Sequence, residues 1–324
     1  MSTENLTDLM TPMAVRVAAT LRIADHIEAG EDQCDRLAAI THSDPSTLAR
    51  LMRFLVVRSV FDEPEPGRYA LNAYSRRLRT GEQMQAWLDL EGAGARIELS
   101  YTDLLHTVRT GTAAWEHFYG KPMWEDFAER PAQDESFNRL MELHCQWLAP
   151  SLIEAYDWSN VGHIVDVGGG NGALLAEILG AQPHLKGTVF DQPHLEAQAS
   201  NLIQQSGLDG RCSFAGGSFF DAVPAADVYV LANVLHNWPD AEATKILSRC
   251  VDAAPDAPIL NVEWAITDGN PLRETEMDLR NLVLMNGKER TVGELEDIGH
   301  EAGVAVRKVV KLKSGLSMVI MGSA

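Results

Sequence analysis

The sequence predicts an α/β protein: a doubly wound, mostly parallel sheet of Rossmann-like type in the C-terminal half, preceded by a helical N-terminal domain. Three observations carry that prediction. The segment HIVDVGGGNG, from His163 to Gly172, runs from an apolar strand into a glycine turn, and the helical ALLAEIL follows at once. Beyond residue 160 the apolar runs HIVDV, GTVFD, RCSFA, DVYVLAN and APILNVE alternate with helical stretches, the pattern of parallel strands joined by crossover helices. The chain closes with VAVRKVVKL and GLSMVIM, joined through Lys313, Ser314 and Gly315, which reads as an antiparallel hairpin on the sheet edge.

The 324 residues leave room for two domains, and 45% hydrophobic with 23% charged residues is ordinary for a soluble globular chain. The start, MSTENLTDLMTPMAV, lacks a basic segment followed by an apolar run, and no stretch is long enough to span a bilayer. A cytoplasmic protein without membrane contact is expected. Residues 11 to 60 read as helices, with Asp44 placed to cap and Pro45 in the first turn of DPSTLARLMRFLVVRSV. FDEPEPGRYALN then reads as a small β wing. Helix, turn, helix and wing together suggest a winged-helix module, which in isolation would suggest DNA binding. Arg50, Arg53 and Arg58 on the second helix favour phosphate, but Asp62, Glu63 and Glu65 on the wing oppose it, and a net charge of −19 repels polyanions generally. Residues 1–100 are therefore expected to form a dimerisation domain rather than a nucleic-acid reader. From residue 84 to about 155 the chain reads as helices, with the aromatic WEHFYGKPMWEDF in the middle and little patterning of period two. This assigns 101–158 to a bridge and substrate lid, and 159–324 to the catalytic, cofactor-binding domain.

The glycine turn is bare enough for a ligand to lie against its backbone. Gly168, Gly170 and Ala173 satisfy the dinucleotide pattern G-x-G-x-x-G/A, so the glycines alone do not separate NAD from S-adenosylmethionine. Asp166 does: a carboxylate beside the loop repels a pyrophosphate but suits an ammonium group. Asp191, at the end of GTVFD, is placed to accept ribose hydroxyls, a need both cofactors share; the plainer account makes it a helix N-cap ahead of Pro193.

His236, in LHNWPD, falls just past the end of a parallel strand, where open α/β sheets bind ligands. A histidine there suits general-base work, since its reference pKa of about 6.5 leaves it largely neutral at pH 7. A hydrogen-bonded structural histidine is the simpler alternative. Glu263, ending APILNVE, and Glu289, in NGKERT, are the two carboxylates placed to converge on it and stabilise an imidazolium. Glu263 could equally be a solvated strand end, and Glu289 a cap for the helix near Thr291. The cysteines at 34, 145, 212 and 250 show no C-x-x-C spacing and the ten histidines no helical i, i+4 pair, so neither disulfides nor a metal site is implied.

At these residues the chain resembles small-molecule O-methyltransferases of the plant caffeate type and their bacterial relatives in antibiotic and natural-product pathways. DVGGGNG, FDQPH, GGSFF, LHNWPD, VEW and GKERT stand in that family's order and spacing, and the likeness covers nearly the whole chain. The resemblance implies S-adenosylmethionine as cofactor, S-adenosylhomocysteine as product, His236 as base, and Glu263 and Glu289 as flanking carboxylates. It places Gly168, Asp191, Ser218 and Phe219 at the cofactor, together with the adjoining Asp166, Gly169 and Gly170. It also implies a homodimer, and an acceptor site lined by the helix holding Met141 to Cys145 and by Met285 and Asn286. Core packing is the alternative for the two methionines. Three positions depart from the pattern: Ser218 stands where an aspartate often accepts the adenine amino group, Ala232 where many members carry a basic residue, and Asn237 where an aspartate usually follows the histidine.

The expected activity is methylation of a hydroxyl, phenolic for preference, on a small aromatic natural product. Two alternatives stand beside it: a repurposed enzyme of the same fold, hydroxylase or pericyclase, that keeps the cofactor, and a ligand-responsive DNA-binding regulator.

Overall fold

The structure, a computed structural model, describes residues 8–265 and 271–323. The chain divides into two compact units: residues through Leu99 together with Arg130–Leu140 form one, and Ser100–Glu129 with the chain from Met141 onward forms the other.

In the first unit, short helices close over a core that includes Ala19, Ile23, Leu37, Met52, Leu55 and Phe61. The Asp44 carboxylate accepts the backbone N–H of Thr47 at 2.8 Å and Pro45 opens the helix Pro45–Val57, as their order in the sequence predicts. The wing is a two-stranded antiparallel ribbon, β1 (Asp62–Glu65) and β2 (Arg68–Ala70), turned at Gly67 with φ +74°. Buried Arg16 pairs with Glu98 and donates to the carbonyl of Trp87.

The second unit is built on seven strands: β3 (His163–Val167), β4 (Lys186–Asp191), β5 (Cys212–Gly216), β6 (Val228–Ala232), β7 (Ile259–Glu263), β8 (Val304–Lys311) and β9 (Ser317–Ser323). Their spatial order is β5-β4-β3-β6-β7-β9-β8, with the first five parallel and β9 running antiparallel between β7 and β8. The doubly wound sheet and its C-terminal hairpin are thus those the sequence predicts. Side chains alternate across β3 and β6: Ile164, Val228 and Val230 join the apolar core on one face, and Val165, Val167, Tyr229 and Leu231 the core on the other. Both faces are covered, which is why these strands read as unbroken apolar runs. Each fully buried Val or Leu contributes about 2 kcal/mol. The strand order reverses at β3, so the loops after β3, β4 and β6 gather at one end of the sheet, where such folds open a crevice.

The stretch from 84 to 155 is helical, as expected, in successive runs: Gln83–Leu88, Ala93–Leu99, Leu104–Thr110, Ala114–Tyr119, Met123–Ala128 and the long Pro131–Ala155. Gly111 and Gly120 end two of these in the left-handed conformation, at φ +71° and +84°. Pro122 and Pro131 stand at the start of the next two runs.

Candidate active site

The glycine loop follows β3 directly. Gly168 has φ +74°, and a Cβ there would stand 2.9 Å from Val234 Cγ2 and 3.8 Å from the Phe219 ring. Gly169 has no room either, because its Cβ would lie 2.7 Å from Asp166 Oδ2. The turn is pinned to β4 by Gly168 N–H, which donates to the carbonyl of Phe190 at 2.8 Å, and by Gly170 N–H, which donates to Asp191 Oδ2 at 2.7 Å. Asp191 therefore braces the loop; the N-cap of the short turn at Pro193–Leu195 is Gln192, whose side chain does no capping.

Asp166 is 2% exposed and its Oδ2 has no hydrogen-bond partner. Burial, aided by the charge of Asp191, pushes its carboxyl up to about 7. A buried acceptor with nothing to accept from is the feature a cationic ligand group would satisfy, so the residues present fit the ammonium end of S-adenosylmethionine. Phe219 is half-buried and meets Phe220 and Trp238 edge-on at 4.9 and 5.8 Å, forming an aromatic wall beside Gly168. Ser218 is exposed, and its hydroxyl accepts the N–H of Phe220 at 3.2 Å.

His236 sits in a 3-10 turn just beyond β6 and is 3% exposed. Its Nδ1 lies 2.6 Å from Glu289 Oε1; when the carboxylate is ionised and the imidazole neutral, this contact puts the ring proton on Nδ1 and leaves the lone pair on Nε2. Glu263 does something different from what its place in the sequence suggested. Its Oε1 accepts the backbone N–H of His236 at 2.9 Å, and its Oε2 accepts from Asn261 Nδ2 at 3.2 Å, so it fixes the turn rather than the ring. At 2% exposed it is no solvated strand end. Nor is Glu289 a helix cap, since Thr291 and Glu294 form the capping box of the helix Val292–Ala302. Burial works against the His236 imidazolium, but the charge and hydrogen bond of Glu289, then the charge of Glu263, outweigh it and the net shift is upward. Burial likewise raises Glu289.

Several further residues, some of them inside GKERT and LHNWPD, surround this dyad. Arg290, fully buried, donates to the carbonyls of Leu235 at 3.0 Å and Trp238 at 2.7 Å and to Asp240 Oδ1 at 2.9 Å, clamping the turn from outside. Asn281 Nδ2 donates to Glu289 Oε1 at 3.2 Å, and Asp278 Oδ1 accepts the Glu289 N–H at 3.0 Å. At Gly287 a Cβ would stand 2.2 Å from the carbonyl oxygen of His236, so only glycine admits this approach. Asn237, one of the three departures, donates through Nδ2 to the carbonyl of Asn233 at 3.0 Å. Asn233 in turn donates to His144 Nε2 at 3.0 Å. Burial first, and the charge of His236 second, push His144 down to about 4, so it is a neutral imidazole at pH 7.

Cys145 packs against the apolar core, with its thiol pushed up to about 12 by burial and then by the charge of Asp166, which places it near the cofactor loop. Met141 and Met285 are half-buried, and Asn286 is exposed in the left-handed conformation at φ +58°.

The chain matches the O-methyltransferase domain family over residues 101–305 and the O-methyltransferase dimerisation domain over residues 4–81. Over 93% of its length, and 92% of the relative's, it is 41% identical to 2,7-dihydroxy-5-methyl-1-naphthoate 7-O-methyltransferase of Streptomyces carzinostaticus. It is 40% identical, over 94% of its length and 83% of the relative's, to aclacinomycin 10-hydroxylase of Streptomyces purpurascens. Among solved structures, an O-methyltransferase from neocarzinostatin biosynthesis, in complex with S-adenosylmethionine and 2-hydroxy-5-methyl naphthoic acid, superposes with a TM-score of 0.92. That match is 39% identical and covers 100% of this chain and 99% of the other.

Proposed function

This chain belongs to the O-methyltransferase family, and from that premise we propose that it transfers the methyl group of S-adenosylmethionine to a phenolic hydroxyl of a small aromatic natural product of the hydroxylated naphthoic acid class. The observation that carries the reading is the buried His236–Glu289 pair, with Nδ1 and Oε1 2.6 Å apart. The cofactor supplies an electrophilic methyl group. In-line displacement requires that the attacking hydroxyl lose its proton as it attacks, and His236 Nε2 takes that proton. Glu289 stabilises the imidazolium as it forms, while Glu263 and Arg290 hold the turn in place.

Asp166, Gly168, Gly169, Gly170, Asp191, Ser218 and Phe219 are assigned to the cofactor, and Met141, Cys145, Met285 and Asn286 to the acceptor. Residues 1–100 are assigned to homodimerisation, 101–158 to a bridge and lid, and 159–324 to catalysis. Among the described residues no helix is long and apolar enough to cross a membrane. We assign the protein to the cytoplasm, and its acidity supports a small-molecule rather than a nucleic-acid partner. The test is incubation with methyl-labelled S-adenosylmethionine and hydroxylated naphthoic acids: label in an O-methyl ether and formation of S-adenosylhomocysteine support the assignment, and consumption of acceptor without label overturns it.

A second reading rests on the 40% identical hydroxylase, in which the same fold performs a different reaction. Under it the acceptor gains oxygen without gaining label, which mass spectrometry of the same incubation separates.

A further inference from the structure

We propose that Asp103, His106 and His117 form a surface binding site for a divalent transition-metal ion of the zinc class, separate from the His236 centre. The helices Leu104–Thr110 and Ala114–Tyr119 are joined by a reversal at Gly111, φ +71°, which brings the two histidines onto one side although they are eleven residues apart. One ligand-capable atom from each of the three residues lies within 4.8 Å of the others. Two nitrogens and a carboxylate oxygen are the donor set borderline metals take, leaving further positions for water.

The side chains are already partly organised for this. His117 Nδ1–H donates to Asp103 Oδ2 at 2.5 Å. His106 Nε2 lies 2.9 Å from the Thr112 hydroxyl, itself 2.8 Å from that of Thr110. The two rings stack with centroids 3.9 Å apart and planes 11° off parallel. Ligands on a tetrahedral ion stand roughly 3.3 Å apart, a contraction that side-chain rotation alone can supply. Parallel rings cannot both aim lone pairs at one point, so metal uptake turns the stacked planes apart. Helix Pro271–Met285, which carries Asp278 and Asn281 beneath Glu289, packs against both helices of this turn, so the ion would stiffen the ground on which the catalytic carboxylate rests.

The experiment is calorimetric titration of ZnCl2 into chelator-treated protein and its His106→Gln and His117→Gln variants, with circular dichroism confirming the fold. One equivalent taken up by the wild type, weakened about ten-fold or more in each variant, is expected. No stoichiometric uptake, or uptake equal in all three proteins, overturns the proposal. A measurement needing no substitution accompanies it: zinc should protect His117, which is exposed, from diethyl pyrocarbonate, and modification at His117 undiminished by zinc also overturns the site.

Discussion

Nδ1 of His236 and Oε1 of Glu289 stand 2.6 Å apart with their side chains 4% and 0% exposed, so each is the other's principal electrostatic environment. Burial alone would drive the imidazole toward neutrality; the carboxylate reverses that, and the histidine's affinity for a proton becomes a property of the pair.

Glu289→Gln removes the main influence that raises His236 and leaves burial to act. The base works in its neutral form, so activity rises with pH through the histidine's pKa. In the variant that rising limb shifts to lower pH, while maximal turnover falls on the order of 10²-fold because the imidazolium loses its partner. A pH–rate profile checks both effects, and a limb that stays in place would separate Glu289 from the titration of His236.

Asp166 makes stability depend on pH. Its carboxyl is raised to about 7 in the folded ligand-free protein, against an ordinary 3.8. The stability it contributes is fully present below the unfolded value and is lost as pH rises through about 7. Asp166→Asn should therefore melt higher than wild type at pH 8, with the gap narrowing as pH falls toward 5. The same variant should bind S-adenosylmethionine about 10- to 100-fold more weakly, having lost a charged acceptor. A variant that gains stability yet binds the cofactor as tightly would remove Asp166 from the site.

Gly287→Ala places a methyl group on the carbonyl of His236 and the backbone of Asn237. Backbone must shift to admit it, at a cost of about 1–3 kcal/mol, and because that backbone carries His236, turnover should fall further than stability loss alone explains. Denaturant unfolding beside steady-state rates tests this; full activity in a well-folded variant would contradict it.

Arg290→Lys keeps a positive charge but loses the planar fork that reaches Leu235, Trp238 and Asp240 together. We expect a loss of about 2 kcal/mol in stability. A Tm equal to wild type would show that the clamp is dispensable.

The central strands were legible because both faces of the sheet are covered there: β3, β4, β6 and β7 announce themselves as apolar runs, and the predicted strands fall within a few residues of the observed ones. The Asp44–Pro45 helix start and the closing hairpin were legible through local chemistry. What the sequence could not convey was side-chain direction. Glu263 lies at the predicted strand end yet holds a backbone N–H, and nothing in APILNVE distinguishes that from a contact with the ring. His144 escaped because it belongs to no motif, and Arg290, although it stands inside GKERT, because the motif does not tell a buried clamp from an exposed basic residue. The helical character after residue 83 was legible, and Gly111, Gly120 and Pro122 mark where its runs end or begin.

The most direct measurement compares wild type and His236→Ala for transfer of labelled methyl from S-adenosylmethionine to a hydroxylated naphthoic acid, with cofactor affinity measured in parallel. The account predicts an O-methylated product from the wild type, turnover lower by about 10² to 10⁴ in the variant, and near-equal cofactor binding. Equal methylation by the two proteins would contradict it.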